Sequence, residues 1–353
     1  MNAFLALWTH RYRKATDMGR AYGRFWATWL WVKWLKLRTP RRKVIGILLA
    51  EHFGDIVACE PLLRYLRRQH PNDRLYWIVR PPFRELVAHH PDLNGTITEP
   101  NVLFSCLLHD NRVFDHLYFP YLSTRFYAYT GRRLVNSTAD RLGITVFNYF
   151  DFGNLLTVFC RCANVPPLNE APRVYIQPGD VARVDALSLP DAFVVVHCHS
   201  NYPPKDWQVA HWERLVGALI DHCGVEVVEI GLKSSLSVAH PGYHDLCGRL
   251  SLLQTAEVIR RGRFFVGVDS GPAHLANAVG TFGLVLLGRL NNLVDYMPYS
   301  GAYQTGENAL LIRGGERPVS DLTFEDVWEP IRRTIAARST GEPQPVTGGK
   351  TGR

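Results

Sequence analysis

Three familiar nucleotide signatures are missing from this 353-residue chain. There is no G-x-G-x-x-G, which argues against a nicotinamide-dinucleotide enzyme, and no G-x-x-x-x-G-K-[ST], which excludes a P-loop NTPase. No Asp-x-Asp pair occurs either, so the usual carboxylates for a divalent metal on a nucleotide diphosphate are lacking. A leaving diphosphate would then rest on backbone amides, a lysine and a helix dipole. The seven cysteines (59, 106, 160, 162, 198, 223 and 247) form no C-x-x-C pair and have no histidine at zinc-site spacing. They read as small buried hydrophobes in a reducing compartment, the cytoplasm, and no metal site is expected. The most apolar run, "FWATWLWVKWLKL", has 13 residues and includes Lys33 and Lys36. It falls short of the roughly 20 needed to cross a bilayer, and no small-residue cleavage site follows it.

What the chain has is an ordinary globular composition, 46% apolar and 20% charged, with length enough for two domains. The net charge of +8 is local. Residues 1–43 carry eleven lysines and arginines against one acid, Asp17, or +10; the other 310 residues together hold about −2. The body is therefore near neutral, and nucleic acid is not an expected partner. Five of the nine tryptophans (8, 26, 29, 31 and 34) share that basic segment. Indoles among cations suit a membrane interface with anionic lipid. Segment 1–43 is thus expected to lie peripherally on the inner membrane; the other readings are a helix docked on the body or on a second subunit.

Beyond it, short β-branched runs alternate with helical patterns: "VIGILLA" (44–50), a helix over 55–69 with Arg64, Arg67 and Arg68 on its solvated side, "RLYWIVR" (74–80), then strands near 97 and 117. Residues 121–160 read as helical. The order βαβα implies a parallel sheet between helices. "NVPPLNEAPRVYIQPGD" breaks the pattern, which restarts with strands at 193–198, 225–231, 264–270 and 283–288. The expected organisation is an N-terminal α/β domain over 44–165, a linker over 166–190, a second α/β domain over 191–338 and a disordered tail over 339–353. Ligands bind beyond the carboxyl ends of such strands, here in a cleft between two halves.

Three stretches fall at those ends. In "FGDIVA", Asp55 follows Gly54 at a helix start; it is either an acid favoured by the dipole or a general base. In "VDSGPAHLANAVG", Asp269 ends a strand, Ser270 and Gly271 turn, and Pro272 suits the first helical position. That helix start is either a plain serine cap or an anion site in which His274 touches a phosphate. In "HCHSNYPPKDWQ", Lys205 is either solvated or neutralises a phosphate, while Trp207 and Trp212 read as packing residues.

Together these stretches resemble the heptosyltransferases of glycosyltransferase family 9, enzymes of the GT-B fold. The match runs in order over about 44–290: "FGDIVACEPLLRYLRRQHP", "LYWIVRPPFRELVAHHPDLNGTI", "KDW" and "DSGPAH". The resemblance implies two Rossmann-like doubly wound domains facing a central cleft, with an N-terminal helical extension. It implies inverting, metal-independent transfer of a sugar from a nucleotide diphosphate, typically ADP-heptose, to a lipopolysaccharide-core or related glycolipid acceptor. By motif position Asp55 is the base, and Lys205 with the amides of Ser270 and Gly271 holds the diphosphate. Asp269 and His274 organise the turn, and Gly231 approaches the nucleoside. The sequence departs from the family at "HCHSN", where His-Pro-Gly is usual, and at "LKSSLSVAHPG", which has no acid for a ribose. Two alternatives therefore stand beside the enzyme: a membrane-tethered sugar-nucleotide-binding scaffold without chemistry, and a transferase with another donor or a protein acceptor.

Overall fold

The computed structural model describes residues 3–340, so most of the tail expected over 339–353 lies outside the described residues. The chain divides into two compact units between Glu170 and Ala171.

In the first unit, β1 (Val44–Leu48), β2 (Arg74–Val79), β3 (Gly95–Thr98) and β4 (His116–Tyr118) form a parallel sheet in the order β3-β2-β1-β4. β1 is buried along its whole length, as its unbroken apolar run requires of a strand covered on both faces. The chain adds strands to one side of β1 and then returns to the other, so the topological switch lies between β1 and β4. The helix expected over 55–69 is two helices, Phe53–Ala58 and Glu60–Gln69. Pro61 in the first turn of the second cannot donate the bond that continuity would need. Nor is the arginine side of that helix merely solvated. Arg64 is nearly buried between Glu60 and Glu170, and Arg67 ties down the carbonyls of His70, Asp73 and Asp92. Their guanidinium forks stitch loops that a solvated side chain would leave loose.

Residues 121–160 are not one helix. A ribbon of β5 (Phe126–Tyr127) and β6 (Arg132–Arg133) is followed by short helices at Ser137–Arg141 and Leu155–Cys162. Gly131, Gly143 and Gly153 take positive φ between them. Asn136 and Asn154 cap the two helices.

The basic tryptophan-rich segment is a single helix, Ala3–Arg38. Ala21, Phe25, Val32 and Leu35 are buried in one core with Val44, Leu48, Tyr76 and Phe104. Their spacing is the 3–4 repeat of one helix face. Burying Phe25, Val32 and Leu35 stabilises the docking by about 1.5–3 kcal/mol each. Asn101 donates to the Asp17 carboxylate at 2.8 Å, and Lys36 pairs with Asp115 at 2.8 Å.

The second unit is a six-stranded parallel sheet built from β7 (Phe193–His197), β8 (Glu226–Glu229), β9 (Tyr243–Asp245), β10 (Phe264–Val268), β11 (Gly283–Leu287) and β12 (Ala309–Arg313). Its order, β12-β11-β10-β7-β8-β9, puts the switch between β7 and β10. Helices Val209–Cys223 and Phe324–Thr340 contribute Trp212, Leu215, Leu219, Val327 and Ile331 to the core beside β7 and β10. Each unit is a doubly wound α/β layer.

Candidate active site

The two central strands of the second unit deliver their carboxyl ends to the switch, where the chain after each turns away. After β10 comes Asp269, buried, with its backbone N–H on Leu286 O. Its Oδ2 accepts from the Tyr296 hydroxyl and its Oδ1 from the Tyr299 hydroxyl, both at 2.9 Å. After β7 the chain runs through a short 3-10 turn, Pro203–Lys205. Lys205 Nζ crosses the switch to Asp269 Oδ2 at 2.6 Å.

The K-D-W triplet divides the work of holding that lysine. Asp206 accepts the Ser200 N–H at 2.6 Å and closes the loop on itself. Trp207, buried, donates its indole N–H to Leu322 O at 2.8 Å and anchors the loop to the core. Lys205 between them has little freedom. Burial alone would push the Asp269 carboxyl up; the Lys205 ammonium, His274 and the hydrogen bonds from Lys205 and Tyr296 outweigh it and hold the group below its ordinary value.

Ser270 is the N-cap of helix Gly271–Val279, yet its side chain makes no cap bond. Its Oγ donates instead to Val268 O at 3.2 Å or engages His197 Nδ1 at 3.1 Å. The plain-cap reading of this serine is therefore wrong. The first helical turn, with Pro at its start, meets the switch without a side chain of its own on its amides. His274, one turn in, is buried against the Tyr299 ring at 4.9 Å. Its Nδ1 is buried and has no hydrogen-bond partner among the described residues. Burial lowers the His274 pKa to about 4 and that of His197 to about 3, so both rings are neutral at pH 7 and each can donate one N–H.

Gly231 lies past β8 with φ +153°, a backbone angle that other residues rarely adopt. A Cβ there would lie 3.7 Å from the His197 ring and 3.6 Å from Cys247 Sγ. Gly231 thus sits beside the same His197 that holds Ser270. Lys205, Gly231, Asp269, Ser270, Gly271 and His274 form one neighbourhood at one switch. The sequence reading missed His197, Tyr296 and Tyr299. Only His197 carried a signal, as the last residue of a central strand; the tyrosines lie in an irregular stretch without periodicity.

Nearby, the buried Glu229 accepts from Ser234 at 2.6 Å and from the Tyr243 hydroxyl. With Asp245 and Cys247 it forms the one group among the described residues whose donor atoms lie close enough to share a cation. Glu229 is already engaged by two hydroxyls, so its lone pairs are largely committed.

In the first unit Asp55 occupies the first turn of helix Phe53–Ala58, partly exposed beyond β1. Its charge and that of Glu51 bear on Tyr121, whose hydroxyl pKa is raised chiefly by burial and then by these carboxylates. Arg125 binds Glu99 through two bonds of 2.9 and 2.6 Å, and its Nε lies 2.7 Å from Glu51 Oε1, out of line for a hydrogen bond. Burial raises the Glu51 pKa, with Arg125 opposing and Glu99 adding to it. Glu51 and Arg125 were not singled out from sequence, although Glu51 directly follows the apolar run 44–50.

Residues 157–300 match the profile of glycosyltransferase family 9 (heptosyltransferase). Over that stretch the chain is similar to family 9 glycosyltransferases. Comparison with curated proteins gives no match. Among solved structures, the chain resembles the E. coli ADP-heptose lps heptosyltransferase II, with TM-score 0.62 and 19% identity over 84% of this chain and 99% of that one. It also resembles the family 9 glycosyl transferase from Veillonella parvula DSM 2008, with TM-score 0.60 and 14% identity over 83% and 97% of the two chains. E. coli heptosyltransferase WaaC with ADP-2-deoxy-2-fluoro heptose matches with TM-score 0.53 and 16% identity over 82% and 99%. At these identities the structural likeness establishes the GT-B fold.

Proposed function

We propose that this transferase moves a sugar, heptose from ADP-heptose, onto a lipopolysaccharide-core or related lipid-linked glycan, with inversion and without a metal. The observation that carries the reading is the Lys205–Asp269 pair, 2.6 Å apart at the head of a helix whose N-cap serine is turned away. A cation, first-turn amides and the buried Nδ1 of His274 suit the oxygens of a diphosphate. The solved relative WaaC carries an ADP-sugar analogue, which supports adenosine as the base.

In this reading Asp55 takes the proton of the acceptor hydroxyl as its oxygen attacks the anomeric carbon. The bond from that carbon to the diphosphate breaks, and its electron pair leaves with ADP. Lys205 and the Gly271 amide stabilise the growing negative charge. Asp269, fixed by Tyr296 and Tyr299, keeps Lys205 in place between turnovers. Gly231 gives the nucleoside room beside His197.

The test is thermal stabilisation of the full chain by ADP, UDP, GDP and CDP, with and without a chelator. A ligand that binds only the folded form at 100 times its Kd adds about 2.7 kcal/mol. Selective stabilisation by ADP, unaffected by chelator, supports the proposal. Stabilisation by another nucleotide keeps the transferase and discards the heptose donor. Loss with chelator overturns the metal-free part, and no response to any nucleotide overturns the proposal.

A further inference from the structure

Helix Ala3–Arg38 has two apolar faces. One, through Ala21, Phe25, Thr28, Val32 and Leu35, is buried in the first unit. At 3.6 residues per turn, Tyr12, Trp26, Leu30, Trp34 and Leu37 fall on the opposite side. There they remain between 49% and 81% exposed. Large apolar side chains usually scatter singly over a surface; here they recur along one line of a helix about 54 Å long.

The borders of that line are cationic. Arg13, Arg20 and Arg38 flank it on one edge, Arg11 and Lys33 on the other, and all five are exposed. Arg38 lies over the Trp34 ring at 5.0 Å and Lys33 over the Trp29 ring at 5.4 Å, so charges and indoles share the same level. At the end of the helix, Lys36, Arg41, Arg42 and Lys43 line a recess of about 280 Å³ whose one acid is Asp115. The only acid on the helix, Asp17, is held by Asn101.

We propose that this outward face lies in the plane of an anionic phospholipid surface, with the indoles at headgroup level, the flanking arginines on lipid phosphates and the recess around Arg41 and Arg42 on a headgroup. Charge selects this occupant over a second copy of the chain. Two such helices would bring cations against cations with no acid to pair them, whereas an anionic surface complements every flanking residue. Among the described residues no helix is long and apolar enough to cross a membrane, and the inward face is already committed to the core, so in this proposal the helix lies on the bilayer. The inference stands without the donor reading, since vesicle binding needs no substrate.

The test uses the full chain with phosphatidylcholine vesicles, with and without 30% phosphatidylglycerol. Co-flotation should rise at least tenfold with the anionic lipid and fall as salt shortens the Debye length. Tryptophan emission should be quenched by lipids brominated near the headgroup more than by lipids brominated deep in the chain. Leu30→Glu with Trp34→Glu should lose at least tenfold in binding, with unchanged melting and unchanged stabilisation by ADP. Tyr12→Glu with Leu37→Glu serves if the first variant folds poorly, and Arg41→Glu with Arg42→Glu should remove the preference for anionic lipid. Flotation that neither face variant weakens, or no flotation at all, overturns the proposal. So does a concentration-dependent dimer that the face variants abolish, which would make a second copy the occupant.

Discussion

Replacing Lys205 by methionine keeps the stem and deletes the charge, and its consequence can be worked out from the site. The ammonium lies 2.6 Å from Asp269 Oδ2, with 18% of the lysine side chain and 5% of the aspartate exposed. At an effective dielectric of about 20 the gross attraction is about 6 kcal/mol, much of it offset by the cost of desolvating both groups. Breaking a fully buried pair costs about 3–5 kcal/mol. Here water reaches the lysine end and two tyrosines still hold the carboxylate, so about 2–3 kcal/mol is expected. For a chain of 353 residues that is a fall in Tm of roughly 3–4 °C. The Asp269 pKa, now held down, should rise towards its ordinary value, so the stability lost below about pH 4 in the wild type should shrink in the variant. If the same ammonium neutralises the donor diphosphate, affinity for ADP should also fall about 10–100-fold, or about 1.4–2.8 kcal/mol. Differential scanning fluorimetry and titration calorimetry read the two effects separately. A Tm within about 1 °C of wild type would refute the electrostatic argument. Unchanged ADP affinity would refute the placement of the diphosphate.

Asp55→Asn should lower transfer by about 10²–10⁴-fold while leaving stabilisation by ADP intact, because it removes the base and keeps Lys205 and the Gly271 amide for the diphosphate; an active variant removes Asp55 from the chemistry. Tyr299→Phe deletes one donor to a buried carboxylate and should cost about 1.5–3 kcal/mol in a denaturant melt. A neutral result would mean that Tyr296 and Lys205 suffice. His197 and His274 have folded pKa values depressed to about 3 and about 4, below the unfolded value near 6.5. Their contribution is complete above pH 6.5 and is lost as pH falls towards 4, since the unfolded chain binds the extra protons. Tm should therefore decline across pH 6.5–4, less steeply in His274→Gln.

Much of this protein could be read from its order of residues. Strand and helix periods differ, so β1, β2, β7 and β10 announced themselves, and chemistry-bearing residues just past a strand end fall where ligands bind in such sheets. On that logic Lys205, Asp269, Ser270, Gly271 and His274 were named from sequence, and the structure brings them to one switch. The tertiary structure alone decided which partner each side chain takes. Ser270 abandons its helix for His197, because the parallel pairing of β7 with β10 sets two strand ends side by side although they are 73 residues apart. Tyr296 and Tyr299 close on Asp269 from an irregular stretch 27 and 30 residues downstream, and no local pattern encodes such a contact. Arg64 looked solvated because a helical projection cannot know that Glu170 lies over it. The N-terminal helix is the sharpest case. Its apolar residues fall nearly all round in projection, and packing against the first unit decides which are core and which face water, since burial depends on the neighbour and not on the residue.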